Sequence, residues 1–158
     1  MIRVIACGKC REKWTQLAIE EYAKRIRGYE KLELVEVKDE KAEEKNSDAQ
    51  NEMVKQVEGE RLLKQIQDDE FVILLDLKGK ELDSVGLEKK IQQLYLQGKS
   101  KITFVIGGSL GVSDALIQRA NFRWKLSVNT FPHQLCRVIV LEQIYRACKI
   151  ARNEPYHK

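Results

Sequence analysis

The sequence predicts a single α/β domain built around a mainly parallel β-sheet. Short apolar segments alternate along the chain with longer segments whose apolar residues recur at three- and four-residue spacing. The first pattern is typical of buried strands and the second of amphipathic helices, and their alternation is typical of βα units. The 158 residues, 43% of them hydrophobic, are enough for one core. One domain is therefore expected to span residues 1–158.

The first half of the chain contributes three strands and two helices to this prediction. The predicted strands are 2–7, 32–37 and 71–75. The last of them is a continuous apolar run, which is typical of a strand covered on both faces. The predicted helices are 11–27 and about 47–66. Residues 38–45 are almost all charged, and we expect them to form a solvated loop because they cannot be buried.

The second half contributes the remaining elements. Residues 77–80 are expected to form a turn. The predicted helices are about 84–98, 114–120 and 134–151. The predicted strands are 102–106 and 124–128. Pro132 favours the start of the last helix, because proline suits a first helical turn.

The charge of +4 is unevenly distributed along the chain. Residues 101–158 carry nine basic and three acidic side chains, against eleven and seventeen in residues 32–100. A basic C-terminal third fits either a surface that faces a polyanion or an ordinary solvated surface. No apolar run approaches the roughly 20 residues needed to cross a bilayer, and the N-terminal run is too short for a signal peptide. A cytoplasmic protein without a membrane partner is expected.

Four cysteines raise the question of redox chemistry. Cys7 and Cys10 form a C-x-x-C at the end of a predicted strand, where a thioredoxin-like pair would lie. The surrounding residues lack the aromatic and proline signature of that fold, and no second C-x-x-C completes a zinc site. Cys136 and Cys148 lie twelve residues apart in one predicted helix, so they cannot pair with each other and are expected to be buried. A thiol–disulfide protein stays an alternative function.

A glycine-containing loop at 107–111 follows a buried strand. Gly107, Gly108 and Gly111 do not have the G-x-G-x-x-G spacing of dinucleotide sites. A loop with few side chains lets backbone amides approach a ligand at the carboxyl end of a strand, the usual ligand position in α/β sheets. A tight turn without a ligand is the other interpretation. No metal-binding pattern accompanies the loop, and no metal is expected.

The final helix is apolar around most of its circumference. Its one narrow polar stripe consists of Glu142, Arg146, Lys149 and Asn153. Because one sheet face cannot cover so apolar a helix, a symmetric dimer contact is expected. Arg137 lies about 180° from Arg146, on the apolar side. We expect Arg137 to find a partner across an interface, to lie beside a ligand near the helix start, or to extend to water.

Both histidines of the chain lie in suggestive positions. His133 follows Pro132 at the start of the final helix, where the helix dipole favours an anion. His157 lies between Tyr156 and Lys158 at the terminus, which is a frayed segment in most proteins. An aromatic, an imidazole and an ammonium group there would also suit stacking on an RNA base and neutralising its phosphate. A non-catalytic RNA-binding module is therefore a further alternative.

Four segments occur in a fixed order along the chain. They are Phe104-Val-Ile-Gly-Gly-Ser-Leu-Gly111, Thr130-Phe-Pro-His-Gln134, Glu142-Gln-Ile-Tyr-Arg-Ala147 and Pro155-Tyr-His157. Together they resemble the ribosomal RNA large-subunit methyltransferase H family of the SPOUT superfamily. The similarity extends over essentially the whole chain. The C-x-x-C departs from the family's pattern, which argues against a shared redox role.

This resemblance implies a SPOUT methyltransferase fold with a C-terminal trefoil knot, a rare exception to unknotted topology. The donor-binding knot region would cover about residues 71–158. The implied activity is methylation at N3 of a pseudouridine (position 1915) in helix 69 of 23S rRNA, on assembled 70S ribosomes. The implied methyl donor is S-adenosylmethionine, used without a metal, and the implied assembly is a homodimer.

The resemblance also implies a set of site residues. Donor binding is expected at Leu75, Gly107, Leu126, Ser127, Val128, Asn129, Thr130 and Phe131. Arg146, Tyr156 and His157 are expected to be catalytic and to reach across the dimer into a composite site. We expect Arg146 to stabilise the charge of the ionised acceptor, Tyr156 to hold the base and His157 to accept its proton. His133 and Arg137 are expected to bind or support the substrate.

Overall fold

The computed structural model describes all residues from Met1 to Lys158. Strands and helices alternate along the chain, which confirms the predicted α/β class. The strands are β1 (Ile2–Cys7), β2 (Leu32–Val37), β3 (Phe71–Glu81), β4 (Ile102–Ile106) and β5 (Phe122–Lys125). The helices are α1 (Lys13–Arg27), α2 (Asp48–Leu63), α3 (Ser84–Leu96), α4 (Asp114–Arg119) and α5 (His133–Ala151).

The five strands form one parallel sheet in the order β2-β1-β4-β3-β5. Every residue of β1 and β4 is buried, as expected for central strands of a sheet covered on both faces. Because all neighbours are parallel, the carboxyl ends of the strands share one edge of the sheet. The loops that follow β1, β3 and β4 therefore meet at that edge, which is where ligands bind in open α/β sheets.

Helices cover both faces of the sheet. On one face, α5 packs between α1 and α3 over a core that includes Phe104, Trp124 and Ile144. On the other face, α2 and α4 cover a smaller core through Leu62 and Leu116. None of these helices combines the length and the apolarity that crossing a bilayer requires. Helix α5 lies in the middle of the layer that covers the first face.

Two strand predictions were wrong in their bounds. β3 continues through the predicted turn at 77–80 as far as Glu81, with a shift of register against β5 between Leu75 and Lys80. Gly79 permits this pairing because a Cβ there would lie 2.5 Å from the carbonyl oxygen of Arg123. β5 begins at Phe122 and ends at Lys125, so residues 126–128 leave the sheet. The trefoil knot stays a prediction.

Candidate active site

A cavity of about 460 Å³ opens between the middle of β3 and the carboxyl end of β4. Its walls are residues 75–78, the glycine loop at 107–111, the segment 126–131 and the start of α5. This volume lies within the range of small-molecule sites. All the residues expected to bind the donor line the cavity except Val128, whose side chain is 75% exposed outside it. The structure thus brings together residues that lie more than fifty positions apart in the sequence.

The glycine loop forms a wall made of backbone. A Cβ on Gly107 would lie 2.9 Å from Val112 Cγ1, and one on Gly108 would overlap the carboxylate of Glu58. Gly111 has a φ of +99°, and its N–H donates to the carbonyl oxygen of Gly108 at 3.2 Å. Since side chains cannot be accommodated at these points, the loop presents peptide groups to whatever occupies the cavity.

The polar groups of the cavity are already organised by hydrogen bonds. Asp76 accepts from Arg123 Nε at 2.7 Å through one carboxylate oxygen and from the N–H of Lys78 at 2.9 Å through the other. Asn129 donates its N–H to Ser127 Oγ at 3.0 Å. The two contacts of Asp76 fix the part of β3 that lines the cavity. The contact between Asn129 and Ser127 fixes the segment that follows β5. Both walls are therefore held in place from within the chain.

His133 lies on the cavity wall at the first position of α5. Pro132 precedes it as the N-cap residue, and no side chain caps the helix. Burial, together with the nearby guanidinium of Arg137, lowers the pKa of His133. The His133 ring therefore carries a positive charge less readily than a free imidazole does.

Arg137 is buried and finds its partners within its own chain. Its Nη2 donates to the carbonyl oxygens of Cys7 at 2.5 Å and Gly8 at 2.6 Å, and its Nη1 donates to Glu36 Oε1 at 2.9 Å. The residue is only 3% exposed, so the expected extension to water was wrong, and a partner across an interface stays a prediction. Arg137 instead ties the first turns of α5 to the end of β1, beside the cavity, which is a supporting position.

The four cysteines differ in burial and in their surroundings. All four are free thiols. Cys7 is fully buried, and burial raises its pKa to about 12, so the reactive thiolate is scarcely populated near neutral pH. The Cys10 thiol donates to Thr15 Oγ1 at 2.8 Å. Cys136 and Cys148 are half-buried rather than fully buried, and Cys136 lines the cavity, which the sequence did not suggest.

The three residues expected to be catalytic meet at the far end of α5. Arg146 Nη1 lies 3.3 Å from His157 Nδ1, and the Arg146 guanidinium lies 4.7 Å from the centre of the Tyr156 ring. The terminus is ordered: Asn153 turns the chain with a φ of 54°, and Pro155 forms a β-bridge with His157. The chain end therefore folds back onto α5.

Glu142 holds this cluster together, a role that the sequence pattern did not reveal. Its Oε1 accepts from Arg146 Nε at 2.9 Å and from the Tyr156 hydroxyl at 3.2 Å. Burial and hydrogen bonding, including a bond to Tyr22, raise the pKa of Tyr156 to about 12. Tyr156 therefore keeps its proton at neutral pH and acts as a donor.

The cavity and the cluster occupy opposite ends of one helix. Arg146 follows His133 by thirteen residues, which is about 20 Å along α5. None of Arg146, Tyr156 and His157 lines the cavity of its own subunit. One subunit thus contains both groups of residues expected to bind the donor and the acceptor, but holds them apart.

Comparison with known proteins places this architecture in a family. A family model described as a predicted SPOUT methyltransferase matches residues 1–157. A protein from Desulfitobacterium hafniense (strain DSM 10664 / DCB-2), named ribosomal RNA large subunit methyltransferase H, is 52% identical over 157 residues, covering 99% of this chain and 98% of the relative. Proteins of the same name from Enterococcus faecalis (strain ATCC 700802 / V583) and Clostridium acetobutylicum are each 49% identical, covering 99% of both chains. The chain therefore belongs to the SPOUT methyltransferases, in the ribosomal RNA large subunit methyltransferase H family.

Proposed function

We propose that this protein methylates 23S rRNA, transferring the methyl group of S-adenosylmethionine to N3 of pseudouridine 1915 in helix 69 of assembled 70S ribosomes. The observation that carries the proposal is the placement of the family's motifs. Two of them, at 104–111 and 130–134, contribute to the cavity wall, and the other two, at 142–147 and 155–157, form the cluster around Glu142. Cytoplasmic action follows from that substrate.

The cavity fits the methyl donor in shape and chemistry. S-adenosylmethionine combines a flat adenine, a sulfonium cation and an amino-acid end. Ten of the 23 lining residues are hydrophobic, which suits the adenosine, and the peptide groups of the glycine loop and of residues 126–131 suit its polar edges. The donor supplies an electrophilic methyl group when bound, and that chemistry requires no metal.

We further propose that the active site is completed in a homodimer. Leu135, Val138 and Ile139 on α5 are only half-buried in the single subunit, and they supply apolar area for a symmetric contact. A two-fold axis across α5 would set the far end of one helix beside the start of its partner. The Arg146 cluster of one subunit would then face the cavity of the other.

The residues of the cluster suit the acceptor half of the reaction. N3 of the base loses a proton during methylation, and the Arg146 guanidinium favours the resulting negative charge. The Tyr156 hydroxyl can donate to the base, and its ring offers a stacking surface. The fixed approach of the acceptor to the methyl group provides the rest of the catalysis through positioning.

The role of His157 in this proposal depends on the position of the Arg146 side chain. Because arginine only donates hydrogen bonds, its contact with His157 Nδ1 puts the imidazole proton on Nε2. In this arrangement His157 supports Arg146 and has no free lone pair. His157 can accept the proton of the base only after Arg146 turns from Nδ1 towards the substrate.

The decisive experiment incubates 70S ribosomes that lack the modification with the protein and labelled S-adenosylmethionine, followed by mapping of the methylated nucleotide. We expect one methylated position, in helix 69, and no labelling of free 50S subunits. Titration calorimetry with the donor accompanies it. Ribosome binding without donor binding would instead identify an RNA-binding module and contradict the proposal.

A further inference from the structure

Glu58 on α2 has a carboxylate that is buried directly behind the glycine loop. The residue is only 4% exposed. Its Oε1 accepts the N–H of Glu40 at 3.1 Å, and its Oε2 is buried without a hydrogen-bond partner of good geometry. The buried Cys7 thiol of β1 lies close to the same carboxylate. Burial, together with the negative charges of Asp39 and Glu40, raises the pKa of Glu58. This carboxylate therefore occupies an unfavourable place in the folded protein.

The same turn of α2 contacts both the loop and the residue that caps α4. The Glu58 carboxylate fills the space that a Cβ on Gly108 would need, and Gly59 lies directly against the Ser113 side chain. Ser113 Oγ in turn accepts the N–H of Leu116 at 3.3 Å and caps α4. Lys55, one turn earlier on α2, lines the cavity itself. Helix α2 thus contacts the chain at Gly108, near the start of the loop, and at Ser113, just after the loop.

A buried oxygen without a partner needs an explanation, because most buried polar groups in native proteins are paired. An apolar side chain of similar size would fill the space behind Gly108 without that penalty. We propose that Glu58 is a positioning residue for donor binding, and that its carboxylate holds Gly108 and the glycine loop in the shape that receives the donor. This inference rests on the proposed function, since it assumes that the cavity binds the donor.

Titration calorimetry tests this role with two ligands, S-adenosylmethionine and 5′-methylthioadenosine, which lacks the amino-acid end. Glu58→Ala should raise the Kd of both ligands by about tenfold or more, because the loop loses the side chain that packs behind Gly108. Glu58→Gln keeps the volume but not the charge, so its Kd should lie between those of the wild type and Glu58→Ala. Glu60→Ala, at an exposed position of the same helix, is the matched control and should bind as the wild type does.

A second pair of variants covers the case in which Glu58→Ala does not fold. Gly108→Ala introduces the overlap with the carboxylate and should weaken both ligands, and adding Glu58→Ala should restore part of the affinity. Unchanged affinity in the Glu58 variants, or no restoration in the double variant, would overturn the inference. A loss confined to S-adenosylmethionine would also overturn it, because Glu58 would then contact the amino-acid end directly. If the wild type binds neither ligand, the proposed function fails instead.

Discussion

At the residue scale, substituting Arg146 should impair methyl transfer without impairing donor binding. Its guanidinium lies in the Glu142 cluster, far from the cavity of its own subunit. Arg146→Ala should lower the single-turnover methylation rate by about 100-fold or more, as expected for the loss of a charge that stabilises the transition state. The donor Kd from calorimetry should be unchanged. Arg152→Ala, whose guanidinium packs 5.0 Å from the Tyr29 ring, is the control, and loss of donor binding in Arg146→Ala would contradict the assignment.

Glu58 should leave a signature in the pH dependence of stability. Burial raises its pKa in the folded state, so the folded protein binds this proton more tightly than the unfolded chain does. The resulting stabilisation is present at acidic pH and is lost as the pH rises through the folded-state pKa. Glu58→Gln stays neutral throughout, and its free energy of unfolding should therefore increase relative to the wild type between about pH 4 and pH 8. Urea unfolding followed by circular dichroism measures this difference.

If Glu58 had a purely structural role, Glu58→Gln should change stability in the opposite direction. In that case, Glu58→Gln would lose stability and donor affinity together. The positioning role instead predicts that stability at pH 8 is retained or increased while affinity falls. A stability difference that does not change with pH would show that the pKa of Glu58 is the same in the folded and unfolded protein, which would contradict the raised pKa.

The sequence identified the residues at both ends of α5 better than it identified their partners. Glu142 was recognised only as part of a polar stripe, although its i,i+4 spacing from Arg146 is typical of a helical ion pair. The carbonyl oxygen of Cys7, which accepts from Arg137, lies 130 positions away in the sequence. No local pattern encodes such a contact, because it depends on where the sheet brings β1 and α5 together.

At the scale of elements, the strength of the local pattern decided which strands could be predicted. β1 and β4 are mostly apolar, and their predicted bounds match the structure. The second part of β3 carries Lys78, Gly79 and Lys80, a composition typical of a turn. It is a strand because Lys80 and Glu81 pair with residues of β5 more than forty positions later. Pairing between the last residues of β3 and of β5 therefore overrides the local preference for a turn.

A substitution at Gly79 tests whether the pairing of β3 with β5 supports the cavity. A Cβ at Gly79 would lie 2.5 Å from the carbonyl oxygen of Arg123, so Gly79→Ala should separate β3 from β5. We expect a loss of about 1–3 kcal/mol in the free energy of unfolding and weaker donor binding, since both strands lead into the cavity wall. Gly28→Ala is the control, because Gly28 has a helical φ of −69° and its nearest neighbouring atom is at 3.4 Å. Equal stability of the two variants would show that β3 tolerates the added methyl group.

At the scale of the whole molecule, α5 separates the two halves of the proposed reaction. Its first residue lines the cavity, and Arg146 lies about 20 Å further along the helix. A subunit acting alone would have to bend α5 or move the chain end to bring them together. α5 packs against α1, α3 and β4 along its length, which opposes such bending. Two subunits related by a two-fold axis bring the two halves together without deforming either subunit.

Mixing two inactive variants tests this composite arrangement directly. Thr130→Trp places a bulky side chain in the cavity wall at an exposed position and should abolish donor binding, whereas Arg146→Ala inactivates the cluster. After unfolding and refolding in equal amounts, half of the dimers should contain one subunit of each kind. Each such dimer has one site with an intact cavity and an intact cluster, so the mixture should recover about one quarter of wild-type methylation. If each subunit instead used its own Arg146, every site in the mixture would be defective and no activity would return.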